Sequence, residues 1–151
     1  MATLVENKKA RLKYAVLETF EAGIELFGFE VKSLRGKRGS LAGAHVSVRG
    51  NEAYLLGAHI PPYQPENTPK DYDPYRARRL LLHKSEVHTL IGREAQKGLT
   101  VVPLSVYTRG RNLKVAVAIV RGKKQHDKRE TIKRRDTERD IERSLKKHFS
   151  I

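Results

Sequence analysis

The chain has 151 residues and a formal net charge of +14, from 31 Lys and Arg against 17 Asp and Glu. This length allows one domain with a modest core, and the charge favours a polyanionic partner such as nucleic acid. The absence of cysteine excludes disulfides, thiol catalysis and cysteine-based zinc fingers, while the absence of a long apolar run argues against a membrane protein or signal peptide, so we expect a cytoplasmic protein.

The first predicted element is a hairpin. Residues 12–20 alternate in polarity and predict a strand that is largely buried on one face. Glu21, Ala22 and Gly23 favour a turn, and residues 24–26 would form a short return strand.

A short helix and a second hairpin are predicted next. Residues 29–35 space their apolar side chains three apart, with an acidic residue early and basic residues late, which favours one or two helical turns. Residues 44–49 alternate in polarity, Gly50 and Asn51 supply a tight turn, and residues 53–56 return.

The second half begins with a long loop. Residues 61–79 contain five prolines and predict a segment without regular structure, followed by a short apolar run at 80–82. Residues 84–97 carry an apolar stripe and end before Gly98, which predicts a helix facing the core.

A last hairpin completes the predicted fold. The β-branched runs 99–107 and 113–120 predict two strands, and Pro103 indicates an edge or a bulge in the first. About six antiparallel strands with two or three short helices predict a mainly β domain over residues 1–120. A closed or nearly closed β-barrel of the oligonucleotide-binding type is the preferred architecture, and a β-sandwich is the competing one.

Residues 121–151 are predicted to form a separate basic tail. Residues 121–148 hold 12 Lys and Arg against 6 Asp and Glu, so they supply +6 of the net charge and leave +8 to the domain. With so few apolar residues the tail should be disordered when free. If the tail became helical, four basic residues spaced four apart would lie along one face, namely Arg135, Arg139, Arg143 and Lys147. Such a basic ridge suits a polyphosphate surface. The alternative is a solvated tail that only aids solubility.

No pattern in the chain predicts catalysis, a metal site or a cofactor. The six histidines are scattered without metal-ligand spacing, and Asp71 and Asp73 are better explained by turns beside Pro74. No phosphate loop or nucleophile motif is present.

Basic residues interleaved with tyrosines are the remaining signal. Such pairs can hold phosphates while the rings stack on exposed bases, which favours RNA, whereas no helix-turn-helix or basic-zipper pattern supports DNA. The alternative is an ordinary basic surface with the tyrosines packed inward. The three clusters are Lys8, Lys9, Arg11 and Tyr14; Arg76, Arg78 and Arg79 with Tyr75; and Arg109, Arg111 and Lys114 with Tyr107.

Four motifs, GFEVKSLR at 28–35, RLLLH at 79–83, GLTVVPL at 98–104 and RGKKQHDKR at 121–129, make the chain resemble the SmpB family of SsrA-binding (tmRNA-binding) proteins nearly end to end. The resemblance implies a bacterial ribosome-rescue factor with an oligonucleotide-binding-type barrel. Such a protein would bind the tRNA-like domain of transfer-messenger RNA and bring it, with elongation factor Tu bound through the RNA, to stalled ribosomes for trans-translation. Its ribosomal partners would be the large subunit and the decoding region and mRNA channel of the small subunit.

The resemblance also implies five RNA-contacting residues in the domain, namely Asn7, Tyr14, Glu21, Leu81 and Lys114. Their chemistry is suitable, since Lys114 can neutralise a phosphate, Tyr14 can stack, and Glu21 can accept a hydrogen bond from a base. Leu81 differs from the others, because burial habit alone predicts a core leucine and only the resemblance makes it a surface contact.

The junction into the tail matches the family as well. The resemblance adds Gly122, Lys123 and Lys124 to the RNA contacts and implies that the tail enters the decoding region and the empty mRNA channel as a helix. We expect a monomer without enzymatic activity; a structural ribosomal protein, a general RNA-binding protein and a small RNA-processing enzyme are the alternatives. The residues assigned to the ribosome at the junction are His126, Asp127, Lys128 and Arg129.

Overall fold

The computed structural model describes residues 1–122, which form one antiparallel sheet with three α-helices. The predictions for residues 123–151 lie outside this part of the chain. Within it, no helix has the length and apolar character needed to cross a membrane. The elements are β1 (Thr3–Glu6), α1 (Lys8–Lys13), β2 (Tyr14–Ile24), α2 (Gly28–Arg35), β3 (His45–Arg49), β4 (Glu52–Leu56), a 3-10 turn (Pro65–Asn67), β5 (Arg78–Leu81), α3 (Lys84–Glu94), β6 (Leu99–Arg109) and β7 (Asn112–Gly122).

The seven strands are arranged in the order β1-β6-β7-β2-β5-β4-β3. The two outermost strands, β1 and β3, are not paired with each other in the part of the chain described, so the sheet is open, although it curls far enough to bring β3 beside β6. The mainly β, oligonucleotide-binding-type fold with short helices is confirmed, with seven strands in place of about six. A single continuous sheet replaces the competing sandwich.

The long strands β6 and β7 bury side chains on both faces. The concave face carries the main core, which includes Val101, Val115 and Val117 together with residues from the helices. The opposite face holds a smaller cluster that α1 and Tyr14 cover. Because successive side chains of a strand point to opposite faces, this double coverage explains the unbroken burial of residues 101–106.

Two N-terminal elements were missed by the sequence analysis. Strand β1 is only four residues long and pairs with the end of β6, and α1 follows at once. Asn7 is the N-cap of α1, where its Oδ1 accepts a hydrogen bond from the backbone of Ala10 at 3.2 Å. This capping signal was present in the sequence but the segment lacks the apolar stripe of a longer helix.

The predicted hairpin at residues 12–26 is wrong, because β2 runs without a turn through Gly23. Gly23 pairs with Lys114 of β7 on one side and Leu81 of β5 on the other, and these two ladders hold the turn-prone segment extended. The prediction that one face of this strand is largely buried is also wrong, since no side chain of residues 14–19 is buried and Val16 and Leu17 are 43% and 48% exposed. Strand β5 pairs with β2 only at Gly23 and Ile24, the last residues of β2. The first half of β2 therefore has no neighbouring strand on that side among the described residues.

Pro103 lies at a bulge, which is one of the two predicted alternatives. The register between β6 and β7 shifts between Pro103 and Ser105. The other alternative, an edge, also holds at this position, because β1 pairs with β6 only from Ser105 onward and the described residues place no strand beside Pro103 on that side. The missing N–H of the proline is therefore accommodated where the ladder is already interrupted.

A buried ion pair joins α2 to β5. Glu30 and Arg78 are both fully buried, and Arg78 Nε donates to Glu30 Oε2 at 2.9 Å. The other N–H groups of Arg78 donate to Tyr72 Oη and to three backbone carbonyl oxygens, so all five donors of the guanidinium are used. Glu30 also accepts from the backbone of Phe27, from Tyr72 and from Arg76. We refer to Glu30, Tyr72, Arg76 and Arg78 as the buried polar network.

The network changes the ionisation of its members. Burial acts to raise the pKa of Glu30, but the hydrogen bonds from Arg76, Phe27 and Arg78 outweigh it and lower that pKa below its ordinary value. Burial and the hydrogen bond to Glu30 raise the pKa of Tyr72 to about 12. Glu30 therefore stays ionised and Tyr72 stays protonated at neutral pH.

We predict that Glu30→Gln lowers the free energy of unfolding by about 3–5 kcal/mol, because it leaves the Arg78 charge buried without its partner. Urea unfolding at pH 7 measures this. The matched control is Glu25→Gln, which removes an exposed carboxylate from Arg79 and should cost less than about 1 kcal/mol. Equal losses in the two variants would contradict a dominant role for the buried pair.

The same variant tests the acid limb of stability. A carboxyl whose pKa is lowered by folding stabilises the protein above its unfolded pKa of about 4.3 and loses this contribution as pH falls through the folded value. The stability difference between wild type and Glu30→Gln should thus be constant near neutral pH and shrink below about pH 4. A difference that persists unchanged in acid would argue against ionisation as its origin.

Candidate nucleic-acid interface

Three of the five domain residues implied by the family resemblance meet at one depression of about 390 Å³, which we call the β5 depression. Glu21 lies on β2, Leu81 on β5 and Lys114 on β7, and all three line it. Gly23 is the common neighbour, because it pairs with Leu81 and with Lys114. The strand register therefore brings together residues that are 60 and 93 positions apart from Glu21 in the sequence.

Leu81 is 48% exposed at the edge of this depression, so the core position suggested by burial habit is wrong. Its exposure follows from the alternation of β5, in which Arg78 and Leu80 are buried. A Cβ on Gly23 would lie 3.2 Å from Leu81 Cβ, tighter than an ordinary contact. A glycine at this position lets the Leu81 side chain lie close against β2 while its outer face stays free for a ligand.

Two donors hold the carboxylate of Glu21. Tyr107 Oη and Arg109 Nη1 both donate to Glu21 Oε2. The hydrogen bond from Tyr107 lowers the pKa of Glu21 below its ordinary value, and the charges of Arg109 and Lys114 act in the same direction. Burial and the bond to Glu21 raise the pKa of Tyr107 to about 12. Glu21 is thus an ionised acceptor whose Oε1 has no protein donor among the described residues.

Lys114 supplies an unpaired positive charge beside Glu21. Within residues 1–122 it forms no salt bridge, whereas Arg79 on the same depression contacts Glu25 and Glu52 at 3.0 Å each. A lysine without a carboxylate partner is available to a phosphate, while Arg79 is engaged by protein. The depression therefore offers one cation, one carboxylate acceptor and one apolar surface.

Asn7 and Tyr14 lie elsewhere, at a second depression of about 670 Å³ that shares no lining residue with the first. Tyr14 is half-buried and Lys13 Nζ lies 5.2 Å from the centroid of its ring. Asn7 is only 5% exposed, and its Nδ2 donates to the carbonyl oxygens of Pro103 and Leu41 at 2.9 and 3.3 Å. These bonds give Asn7 a structural role in seating α1, and a direct contact with RNA stays a prediction.

Of the residues predicted at the tail junction and in the tail, Gly122 is the one that lies within the described part of the chain. Gly122 ends β7 and pairs with Tyr14 at the start of β2. The chain therefore leaves the sheet next to the second depression. The other predicted tail contacts lie outside the described residues, namely Lys123, Lys124, His126, Asp127, Lys128, Arg129, Arg135, Arg139, Arg143 and Lys147.

One predicted basic cluster is wrong as a phosphate-binding surface. Arg78 is fully buried in the polar network, and Arg76 pairs with Glu30 while its guanidinium carbon lies 4.1 Å from the centroid of the Phe27 ring. Both guanidinium groups are therefore engaged by Glu30 inside the protein rather than presented to a phosphate. No local sequence pattern predicts this pairing, because Glu30 is 46 residues or more from both arginines.

The contribution of Tyr107 was also missed. The sequence left open whether it stacks on a base or packs inward, and neither alternative included the bond of its hydroxyl to Glu21, 86 positions away in the sequence. No local signal announces such a pair. Among the described residues, no group of three or more His, Asp and Glu is placed to hold a metal ion.

Comparison with known proteins identifies the relatives of the chain. The family model described as SmpB protein matches residues 4–147. An SsrA-binding protein of Gloeothece citriformis is 48% identical over 144 residues, covering 95% of this chain and 93% of that protein. One of Chloroflexus aggregans is 50% identical over 149 residues, covering 99% and 94%.

Among solved structures, a chain from the work described as "tmRNA-SmpB: a journey to the center of the bacterial ribosome" is similar to this one. It is 42% identical, has a TM-score of 0.69, and the match covers 87% of this chain and 95% of that one.

We predict that Tyr107→Phe raises the pKa of Glu21, because it removes the hydrogen bond that lowers this pKa most. A carbon-detected NMR titration of the Glu21 carboxyl measures the change. Tyr54→Phe is the control, since the Tyr54 hydroxyl bonds instead to Glu52 on the same depression. An identical Glu21 titration in wild type and Tyr107→Phe would rule out this arrangement.

Proposed function

Because the chain belongs to the SmpB family of SsrA-binding proteins, we infer that it binds transfer-messenger RNA and acts with it on the ribosome in trans-translation, the rescue of stalled bacterial ribosomes. The observation that carries this conclusion is the family match over residues 4–147. The geometry is compatible, since the surface presents an unpaired cation, a carboxylate acceptor and an exposed leucine together at the β5 depression.

The β5 depression is the proposed contact for the tRNA-like domain of the RNA. Lys114 would neutralise a phosphate, Leu81 would pack against a base or sugar, and Glu21 would accept a hydrogen bond from a base N–H through Oε1. These roles combine phosphate neutralisation, an apolar contact and a hydrogen bond to a base edge. Tyr14 and the lysines of the second depression would form a separate contact.

The protein would divide its work between domain and tail. Residues 1–120 would supply most of the RNA-binding surface, to which Gly122, Lys123 and Lys124 would add, and the rest of the tail would enter the decoding region and mRNA channel of a ribosome whose message has ended. A basic segment suits a channel lined by phosphates. Affinity for the RNA and sensing of the empty channel would therefore be separate properties.

The remaining properties follow from this proposal. The protein would act in the cytoplasm, where ribosomes are, and as a monomeric binding factor with no reaction of its own. Elongation factor Tu would be met through the shared RNA. Its contribution is positioning, since the domain would hold the RNA while the tail is placed in the ribosome.

We predict that Leu81→Ala and Lys114→Ala each weaken binding to the tRNA-like domain without lowering the melting temperature, because both side chains are at the surface. A loss of about five-fold or more is expected for each, and Lys114→Ala should also reduce the salt slope of log K by about 0.7–0.9. Competition binding against the tRNA-like domain and an unrelated RNA duplex measures both.

The control is Ile91→Ala, which shortens another exposed aliphatic side chain, 38% exposed on α3 and outside the depression. Its affinity should equal that of wild type. Unchanged affinity in Leu81→Ala and Lys114→Ala would remove these residues from the interface. Equal binding of wild type to both RNAs would instead indicate a general RNA-binding protein.

We predict that deletion of residues 123–151 leaves binding to the tRNA-like domain largely intact, with a small loss from Lys123 and Lys124, and abolishes peptide tagging on stalled ribosomes. The deletion keeps all seven strands, since β7 ends at Gly122. RNA affinity and an in vitro tagging reaction measure the two properties. Parallel loss of both would contradict the division between domain and tail.

A further inference from the structure

A separate depression of about 420 Å³ lies on the other side of Leu81, and we call it the hairpin depression. Its volume falls in the ~300–1,000 Å³ range of small-molecule sites. It shares three lining residues with the β5 depression, namely Gly23, Leu81 and Lys114. Leu81 and Lys114 therefore stand on the boundary between two adjoining hollows.

The floor of the hairpin depression is aliphatic. Ile24 and Leu26 come from the end of β2 and the segment after it, Val31 from α2 and Leu113 from β7. Ile24, Leu26 and Val31 are only partly buried and pack against the main core. Apolar surface that the fold leaves open between the ends of interior strands and a helix can accept a flat, apolar face of a ligand.

The charge of the hairpin depression is exclusively positive. Arg111 and Lys114 line it, no carboxylate does, and neither cation forms a salt bridge within residues 1–122. The β5 depression differs, because Glu21, Glu52 and Glu86 line it. The hairpin depression therefore selects for an anionic ligand with an apolar face.

Its rim is held in place by contacts within the protein. Arg35 Nη2 donates to the carbonyl oxygen of Arg111 at 2.9 Å, which ties the β6–β7 turn to the last turn of α2. The Arg111 backbone is thus anchored while its side chain remains exposed. A preformed rim lowers the entropy cost of binding.

We propose that the hairpin depression binds one unstacked nucleotide of the RNA, with its base on the aliphatic floor and a phosphate at Arg111. This deepens the proposed function and rests on it. The nucleotide next to it in the RNA sequence occupies the β5 depression, where Glu21 Oε1 accepts from its base.

Leu81 and Lys114, which line both depressions, explain why two neighbouring nucleotides would bind side by side. Consecutive nucleotides are joined by one phosphate, and Lys114 is the cation common to both depressions. Leu81, exposed between them, inserts as a wedge that keeps the two bases apart. Recognition of RNA loops commonly uses such splayed bases, since only unstacked bases expose their faces and edges.

Cross-linking tests the proposal in the full chain, which has no cysteine of its own. Asn112→Cys labels the hairpin depression, Asn51→Cys labels the β5 depression, and Arg93→Cys on α3 lines neither. Each variant carries a benzophenone maleimide and is irradiated with the transcribed tRNA-like domain of transfer-messenger RNA. The cross-linked nucleotides are mapped by reverse transcription.

Specific cross-links from Asn112→Cys and Asn51→Cys to adjacent nucleotides support the proposal. Cross-links from Asn51→Cys alone, with Asn112→Cys no better than Arg93→Cys, overturn it and leave the proposed function standing. Cross-links from the two variants to nucleotides distant in the RNA sequence also overturn it. Failure of the unlabelled wild type to bind the tRNA-like domain selectively overturns the proposed function itself.

Affinity provides an independent readout. Arg111→Ala should weaken binding about five-fold and reduce the salt slope by about 0.7, as expected for one lost phosphate contact. Arg93→Ala removes an equal charge from an exposed helix position and should change the affinity less than two-fold. Equal effects of the two substitutions overturn the assignment of Arg111 as a local phosphate ligand.

Discussion

The buried pair of Glu30 and Arg78 is the interaction on which the position of β5 depends. It joins the first turn of α2 to the first residue of β5, and through Tyr72 and Arg76 it also holds the proline-rich loop between them. Two buried charges without full hydrogen bonding would destabilise the fold, but all five donors of Arg78 find acceptors. The loop therefore has one defined path although it contains only a 3-10 turn of regular structure.

That path determines what β5 presents to the outside. Because the side chains of a strand alternate, fixing Arg78 inside places Leu80 inside and Leu81 at the surface. A shift of one residue would bury Leu81 and expose the charged network. The buried ion pair thus fixes the register that exposes Leu81, three positions after Arg78. The geometry of the β5 depression therefore depends on an interaction in the protein interior.

The basic residues near β5 differ in whether a carboxylate of the protein pairs with them. Arg76, Arg78, Arg79 and Arg109 each form a salt bridge with a carboxylate. Within residues 1–122, Lys114 and Arg111 form none. Among the cations that line the two depressions beside Leu81, Lys114 and Arg111 are therefore the ones left for phosphates, and their placement favours a local contact with RNA at this position.

Local patterns in the sequence predict the β-rich class, the helices α2 and α3, the last hairpin and the bulge at Pro103, because each depends on periodicity, turn residues or a missing N–H. Motif resemblance further identified the family. The tertiary structure alone decided that β2 continues through Gly23, since only the ladders to β5 and β7 oppose the local turn preference. It also decided which arginines are free and that Tyr107 holds Glu21, because those partners lie 46 to 88 residues apart and no local pattern encodes such pairings.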